Sequence, residues 1–287
     1  MKWTDERGGN VEDRRGMGGG GMMVGGGLGT LIIAAIIFFL GGDPSAILNS
    51  GGSATPVRTE QRQPSSEQDK QLYELVSMLD AWNTKTWTQI FQENGMKYVA
   101  PKIIMFSNST NSGCGPAQSA MGPFYCPADQ SVYVDMSFFN ELQSRYGAKV
   151  SEFTVAYVLG HEIGHHVQTL LGTTQKVDQL RRSGRYSEAE MNRVSVAVEL
   201  QADFYAGLWA KKNNERVQGG ILEPGDIESA VSAAQAVGDD NIQKRSSGYV
   251  NQESFTHGSS AQRVEWFMKG YNTGDIKQGD TFNALLR

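Results

Sequence analysis

The residues with the clearest chemical potential are two histidines and a glutamate in the segment His161-Glu162-Ile163-Gly164-His165. On a helix, His161 and His165 share one face and lie one turn apart, so both imidazoles can reach one metal ion. Histidines at this spacing are typical of zinc sites, with zinc–nitrogen distances of about 2.0–2.1 Å. Glu162 lies one step round the helix, where its carboxylate can contact a metal-bound water and act as a general base.

The surroundings of this motif favour a metal site over ordinary packing. Histidine is rare, with 4 among 287 residues, so a chance match to the HExxH pattern is a poor explanation. The flanking positions are mostly apolar: Phe153, Val155, Ala156, Val158, Leu159, Ile163 and Val167. Two histidines and a glutamate on such a helix would be costly unless they were paired or bound to a metal. His166 lies about 100° further round the helix, so we expect it to pack rather than to bind the ion.

A second pair of side chains is expected to complete the site, because a catalytic zinc ion takes three protein ligands and keeps one position for water. Glu199 and Asp203 have helical i,i+4 spacing and so face the same way. One can bind zinc while the other accepts a hydrogen bond from a ligand histidine, and the spacing does not decide between them. The alternative is a solvated helix face, which the apolar neighbours Ala197, Leu200 and Ala206 argue against.

The elements that carry these residues are mostly helices. Apolar periodicity and capping residues predict helices over 67–94, 137–146, 150–171, 187–212, 224–237 and 259–269. Two β-branched runs, at 102–106 and 131–135, predict strands. The predicted fold class is therefore α+β, a mostly helical domain with a small sheet. Ser66 is a suitable N-cap, so we expect this domain to span residues 66–287.

The N-terminal part differs from the rest of the chain. Residues 1–21 are charged and then glycine-rich, and residues 22–40 contain no charge, which approaches the length of a membrane helix. We predict an uncleaved transmembrane signal anchor at 22–42 and a flexible linker at 43–65; a cleaved signal peptide or a buried core helix are the alternatives. Basic residues precede this span, so the positive-inside rule places residues 1–21 in the cytoplasm and the domain in the periplasm or outside the cell.

The two cysteines and the net charge of the chain indicate a disulfide and the class of partner. Cys114 and Cys126 flank a loop rich in glycine and proline, and outside the cytoplasm such a pair is expected to form a disulfide. A structural zinc site is the alternative, but two further ligands at the usual spacing are missing. The net charge is -5, so no nucleic-acid partner is expected.

The chain as a whole resembles a known family. HExxH on one helix followed by Glu-x-x-x-Asp on a second is similar to the gluzincin metallopeptidases. The chain resembles more closely the bacterial "putative neutral zinc metallopeptidase" family. The matching pieces are the glycine-rich N-terminus with its span and residues 160–168, 199–203 and 256–263, so the resemblance covers almost the whole chain. It implies a zincin-like fold with one Zn²⁺ ion per chain.

The resemblance also implies roles for individual residues. It makes His161 and His165 metal ligands and Glu162 the base. It makes Glu199 the third ligand and Asp203 the hydrogen-bond partner behind the ligands.

A further histidine stabilises the oxyanion in thermolysin-like members of the wider group. His257 is the matching residue here, and the resemblance implies that Arg263 helps to orient it. His257 could instead cap the helix that begins near Ser259.

These assignments predict a membrane-anchored zinc endopeptidase with a peptide or protein substrate. Glu162 would take a proton from zinc-activated water and return it to the leaving amine. A peptide could dock on an exposed sheet edge at residues 132–135, for which ordinary sheet pairing is an equal alternative.

A competing function is a catalytically silent, zinc-stabilised envelope interaction protein with His257 as fourth ligand. Glu162 argues against it, since a closed structural site needs no base. A binding module for envelope polymers is a third class, but the sequence shows no carbohydrate-binding pattern.

Overall fold

The structure is a computed structural model and describes residues 1–16 and 66–286. The strands are β1 (Val11–Asp13), β2 (Lys102–Phe106), β3 (Ser109–Ser112), β4 (Gly115–Gln118), β5 (Phe124–Cys126) and β6 (Ser131–Asp135). The helices are α1 (Glu67–Glu93), α2 (Phe138–Ser144), α3 (Glu152–Leu170), α4 (Thr173–Arg182), α5 (Glu188–Arg216), α6 (Asp226–Ala236), α7 (Asp239–Ser246), α8 (Ser260–Thr273) and α9 (Thr281–Leu285). This is a mostly helical α+β fold, as predicted.

A four-stranded sheet with the order β1-β2-β6-β5 stands beside the helices, and β3 and β4 form a separate antiparallel pair. β2 is parallel to both β1 and β6, whereas β5 is antiparallel to β6. The predicted strand at 131–135 therefore lies between two partners. Sheet pairing is confirmed for it, and the prediction of an exposed docking edge at residues 132–135 is wrong. Within the described chain, the edge on that side of the sheet is β5.

Helices α3 and α5 pack against each other and carry the motif residues. Each begins at a serine, Ser151 or Ser187, whose side chain accepts backbone N–H groups in a capping box. Gly164 of α3 permits a close approach, because a Cβ atom there would lie 3.0 Å from the carbonyl oxygen of Ala202 in α5. This contact holds the HExxH face of α3 against the acidic face of α5.

Helix α8 is held against α5 by a glycine on each helix. A Cβ atom at Gly207 would overlap the carbonyl oxygen of Phe267, and one at Gly270 would overlap that of Phe204. The two backbones are therefore in direct contact. This packing places Arg263, near the start of α8, beside the acidic face of α5.

The predicted elements are present, with shifted ends. Helix α5 ends at Arg216 instead of 212, and α8 ends at Thr273 instead of 269. The side chain of Ser66 accepts the backbone N–H of Asp69 and caps α1, as expected. The predicted disulfide between Cys114 and Cys126 is also confirmed, with an S–S distance of 2.01 Å, and it joins the turn between β3 and β4 to β5.

The first fifteen residues pack against the domain. Val11–Asp13 form β1 and pair with β2 in the main sheet. The indole N–H of Trp82 donates to Thr4 Oγ1 at 2.9 Å. The backbone N–H of Asn10 donates to the carboxylate of Asp80, also at 2.9 Å. The N-terminal segment and the domain thus contribute strands to one sheet, which a membrane between them would not allow.

No helix within residues 1–16 and 66–286 combines the length and the apolar character that crossing a membrane requires. The predicted span at 22–42 and the linker at 43–65 lie outside the described residues. Together with the pairing of β1, this finding corrects the predicted single-pass localisation with a cytoplasmic N-terminus and an external domain.

We expect an ion pair of Glu6 to make the docking of this segment pH-dependent. Glu6 accepts two hydrogen bonds from Arg216, at 3.0 and 2.9 Å, and one from Lys85 at 2.9 Å. Arg216 holds the pKa of Glu6 at about 2, below its ordinary value of 4.5. Because the folded-state pKa is depressed, the stabilisation is complete above pH 4.5 and is lost as the pH falls towards 2.

Denaturant unfolding of Glu6→Gln tests this expectation. The variant should lose about 1 kcal/mol of unfolding free energy at pH 7, because the pair is partly exposed to solvent. The difference from wild type should shrink as the pH falls below 4.5. Glu265→Gln, at an exposed position of α8, is the control and should show neither effect. A difference that is constant with pH would contradict the ion-pair explanation.

Candidate metal centre

Three buried side chains from α3 and α5 converge to form a group that could hold a metal ion. One ligand atom from each of His161, His165 and Glu199 lies within 4.8 Å of the other two. The Nε2 atom of His161 is 3.2 Å from Glu199 Oε2, and the Nε2 atom of His165 is 3.5 Å from Glu199 Oε1. The pattern of two histidines on one helix and a carboxylate on the next is therefore realised as a compact cluster.

Asp203 orients the first histidine of the cluster. Its Oδ1 atom lies 2.9 Å from His161 Nδ1, so the ring donates from Nδ1 and directs Nε2 towards Glu199. Arg263 donates to both oxygens of Asp203, at 2.8 and 3.1 Å. The hydroxyl of Tyr157 donates to the same carboxylate at 2.6 Å. Arg263 therefore contacts Asp203 and not His257, the residue that it was predicted to orient.

The second histidine is oriented by a residue that the sequence analysis missed. Gln168 lies one helical turn after His165, and its Oε1 atom is 2.9 Å from His165 Nδ1. The amide of Gln168 donates to the carbonyl oxygen of Val198 at 2.7 Å, which leaves Oε1 as the acceptor for the imidazole. His165 thus donates from Nδ1 and keeps Nε2 for a ligand bond. The i,i+3 spacing of a histidine and a glutamine on one helix was the signal available in the sequence.

Burial and neighbouring charges shift the pKa values of the four ionisable side chains in and behind this cluster in different directions. Burial lowers the pKa of His161, but Asp203 outweighs burial and raises that pKa to about 10. Burial lowers the pKa of His165 to about 4, although Glu199 opposes it. Burial opposes ionisation of Glu199, yet the neighbouring histidines hold its pKa below the ordinary value. Burial likewise opposes ionisation of Asp203, and Arg263 with His161 lowers its pKa to about 2.

Glu162 is buried beside the cluster, and one oxygen of its carboxyl group makes no hydrogen bond to the described residues that would stabilise the fold. Its side chain receives the backbone N–H of Tyr125 from β5, but within the described residues its Oε2 atom is buried and has no hydrogen-bond partner. Burial raises the pKa of Glu162 to about 8. A carboxyl group left in this state costs folding free energy, which is common for groups that serve a reaction.

The donor set suits a zinc ion. Two imidazole nitrogens and one carboxylate are a common ligand set of catalytic zinc sites, and both imidazoles have Nδ1 engaged in a hydrogen bond. Binding of the ion would displace the proton that Asp203 stabilises on His161 in the metal-free chain. Glu162 lines the same cavity as the three residues that would hold the metal. The described residues supply three ligands in this group and not a fourth.

His257 lies on the same cavity as the cluster but is held by different residues. The carboxylate of Asp239 accepts the backbone N–H groups of Thr256, His257 and Gly258 at 2.7, 2.7 and 3.0 Å. Its other oxygen lies 3.1 Å from His257 Nδ1. Burial lowers the pKa of His257, but Asp239 outweighs it and raises the pKa. Asp239 is a further residue that the sequence analysis missed.

Two other predictions about histidines can be compared with the structure. Helix α8 is capped by the side chain of Ser259, which accepts the N–H of Gln262, so His257 does not serve as its cap. His166 is fully buried and points away from the cluster, with Nδ1 at 3.0 Å from the Tyr125 hydroxyl and Nε2 at 2.7 Å from the Val99 carbonyl oxygen. It packs, as expected, and ties α3 to the edge strand.

One cavity opens onto the cluster. It has a volume of about 180 Å³ and is lined by His161, Glu162, His165, Glu199, His257 and Arg263 on one side. Residues 120–123, which lead into β5, line another side. Helices α2, α6 and α7 complete the wall with side chains that are apolar except for Glu141 of α2. A ligand in this cavity would contact the motif residues and the edge strand together.

We expect Asp203→Asn to weaken metal binding by roughly 10- to 100-fold, because the neutral amide supports the His161 tautomer less well. The variant should also be less stable, since Arg263 would keep a buried charge without its partner. Metal competition titrations on folded protein measure the first effect, and denaturant unfolding measures the second. Tyr157→Phe removes only a hydroxyl donor to Asp203 and should bind metal nearly as wild type does. Equal affinities for all three proteins would contradict the orienting role.

Comparison with known proteins agrees with this site. A family profile described as "Putative neutral zinc metallopeptidase" matches residues 1–282. The uncharacterized protein YpfJ of Escherichia coli (strain K12) is 45% identical over 221 residues, which cover 77% of this chain and 75% of the relative. The uncharacterized protein Rv2575 of Mycobacterium tuberculosis (strain H37Rv) is 44% identical over 196 residues, covering 65% and 64%. No solved structure matches the chain. The chain belongs to the putative neutral zinc metallopeptidase family.

Proposed function

We propose that this chain is a zinc-dependent endopeptidase with Glu162 as its general base. The strongest support is the Glu162 carboxyl group, which is buried beside His161, His165 and Glu199 and keeps one oxygen without a hydrogen-bond partner among the described residues. A purely structural metal site would gain nothing from such a group. A hydrolytic site requires it, because the attacking water must lose a proton.

His161, His165 and Glu199 would hold the metal, and Asp203 and Gln168 fix the orientation of the two histidines. Bound zinc supplies a water with a pKa of about 7 and polarises the scissile carbonyl. Asp203 and Gln168 accept the Nδ1–H groups of the two histidines, which directs each Nε2 atom towards the side where Glu199 lies. Glu199 contributes a carboxylate that its histidine neighbours keep ionised.

Glu162 moves the proton of the reaction. Its carboxylate takes a proton from the water as the water oxygen bonds to the carbonyl carbon. It then returns this proton to the leaving nitrogen as the C–N bond breaks, so the products are a carboxylic acid, which keeps the second water proton until it ionises, and an amine. Burial raises the pKa of Glu162 in the metal-free chain, and a bound cation nearby would favour the ionised carboxylate that acts as the base. The N–H of Tyr125 holds one side of the carboxylate in place.

His257 stabilises the negative oxygen that develops on the substrate carbonyl. Asp239 fixes the backbone and the Nδ1 atom of His257, so Nε2 remains available as a donor in the shared cavity. The raised pKa of His257 favours the protonated ring, which donates more strongly to an oxyanion. Arg263 acts through Asp203 on the metal ligand His161.

The substrate passes beside residues 120–123, where a short 3₁₀ helix (Ser119–Met121) and the residues after it lead into β5. These residues line the same cavity as the ligand group, and β5 is the edge strand on this side of the described sheet. An extended peptide there would meet backbone groups on one side and Glu162 on the other. This position replaces residues 132–135, which the sheet buries between two strands.

Peptide hydrolysis that depends on zinc tests the proposal. The full chain, loaded with zinc, is incubated with a proteome-derived peptide library, and new termini are mapped by mass spectrometry. We expect cleavages that disappear after metal removal by a chelator and return when zinc is restored. A zinc-loaded chain that cuts none of these peptides would favour the silent interaction protein instead.

A further inference from the structure

We infer that the cavity beside the metal ligands selects a basic side chain of the substrate, Lys or Arg, and that Glu141 of α2 recognises its charge. The inference rests on the proposed peptidase function and names the substrate class for it. Three observations support it: the size of the cavity, its apolar wall, and the charge balance of its lining.

The cavity is large enough for one long side chain. Its volume is about 180 Å³. A protein cavity of about 150 Å³ accommodates a benzene molecule, so a four-carbon stem with a terminal ammonium group fits here. The cavity opens onto the ligand cluster, so a side chain in it would belong to a residue close to the scissile bond.

The wall of the cavity suits the stem of such a side chain. Apolar side chains line it, among them Phe138 and Leu142 of α2, Val158 of α3, Val237 and Ile242. Methylene groups of a lysine or arginine pack favourably on such apolar surface while the charged end seeks a polar partner.

Glu141 is the polar partner, because its charge is not balanced within the described chain. Phe138, Glu141 and Leu142 have i, i+3 and i+4 spacing and line the cavity together. The cation Arg263 in the lining already binds both oxygens of Asp203, and His257 binds Asp239. No ion pair or hydrogen bond of the Glu141 side chain is formed with residues 1–16 or 66–286.

A purely apolar substrate side chain would fit this lining less well. It would displace water from Glu141 and give the carboxylate no new partner, which is unfavourable. A lysine or arginine fills the same apolar space and supplies the missing charge. The pair would form in a partly enclosed site, where ion pairs are screened less than on an open surface.

Peptide binding to the full-length, zinc-loaded Glu162→Gln chain tests the inference without requiring turnover. The probe is an alanine peptide blocked at both ends, with one variable residue: Lys, Arg, norleucine or Glu. Norleucine has the lysine stem without the charge. We expect Lys and Arg peptides to bind about tenfold more tightly than the norleucine peptide.

Two further substitutions in the same background assign the preference to Glu141. Glu141→Gln should bring the ratio of Lys to norleucine affinity close to one, and Glu141→Lys should favour the Glu peptide. Glu188→Gln changes an exposed first-turn glutamate of α5 and should keep the tenfold ratio. Near-ultraviolet circular dichroism checks folding, and the reversed preference of Glu141→Lys remains decisive if Glu141→Gln folds poorly.

The outcomes separate this inference from the proposed function. Equal binding of the Lys and norleucine peptides, or a Lys preference that survives Glu141→Gln, would overturn the inference. If the blocked peptides do not bind and the same Lys peptide with a free α-amine does, the inference is also overturned, since Glu141 would then recognise a chain end. Selective binding by the chain with Glu162 intact, but no cleavage of any peptide, would support the pocket and reject the peptidase.

Discussion

Replacing Glu162 by Gln is expected to lower peptide hydrolysis by about 10²- to 10⁴-fold, the usual contribution of a general base. The amide keeps the shape of the side chain but cannot take a proton from water. Metal binding should be unchanged, because Glu162 is not one of the three clustered ligands. The buried, unpartnered oxygen of the wild-type carboxylate would become part of an amide, so the variant should be at least as stable as wild type.

Initial rates and metal content, measured on the same samples, check this prediction. Glu152→Gln is the matched control, since it makes the same change at an exposed position of the same helix. It should retain both the wild-type rate and the metal. A Glu162→Gln chain that keeps its metal and hydrolyses peptides at the wild-type rate would remove Glu162 from the mechanism.

Replacing Glu199 by Ala is expected to weaken zinc binding by more than about 100-fold. Outer residues such as Asp203 typically change metal affinity by 10- to 100-fold, and loss of a direct ligand should exceed this range. The two imidazoles of His161 and His165 would remain, without the negative charge that complements a divalent cation. Hydrolysis should be lost together with the metal.

Thermal unfolding with and without zinc measures this effect. Zinc at 100 times its Kd should stabilise the wild-type chain by about 2.7 kcal/mol, and the variant should gain little at the same concentration. Glu215→Ala, at an exposed position of the same helix, should respond to zinc as wild type does. Wild-type stabilisation of Glu199→Ala by zinc would show that the third ligand is another residue.

The core of the site follows from local sequence patterns. HExxH on α3 and Glu-x-x-x-Asp on α5 each place two side chains on one helix face, and spacing alone predicts this. The structure adds how close the helices lie. Gly164, which has no side chain to hold them apart, allows His161 and His165 to meet Glu199.

The partners of the histidines were harder to predict because they depend on tertiary structure. Asp239 precedes His257 by 18 residues, and only the fold shows that its carboxylate binds three consecutive backbone N–H groups there. Arg263 was expected beside His257 but contacts Asp203, since the close packing of α8 on α5 brings it to that helix. Neither contact has a local spacing that indicates it.

The N-terminal strand is the largest difference between expectation and structure. Residues 11–13 are short and mostly charged, so they lack the alternating pattern of a strand. Their pairing with β2 spans about ninety residues of sequence, which composition and charge rules do not consider. The positive-inside rule took the basic residues Lys2, Arg7, Arg14 and Arg15 as a topological signal. In the structure, Arg7 and Arg15 make ion pairs with Glu74 and Asp69 of the domain.

The edge of the sheet was misplaced for a similar reason. Residues 131–135 have the alternating, β-branched composition of a strand, and this part of the prediction is confirmed. Phe124–Cys126 is only three residues long and follows a turn, so it gives no clear strand signal. Its position outside β6 makes it the strand that approaches Glu162.

Hydrolysis in ¹⁸O-labelled water tests the central claim most directly. A blocked peptide is incubated in this water with the zinc-loaded full-length chain, and the products are weighed by mass spectrometry. We predict one ¹⁸O atom in each new carboxyl terminus from a single passage through the site, and no product above background with Glu162→Gln. An intact peptide despite one bound zinc ion per chain, or equal product from both proteins, would contradict the proposed function.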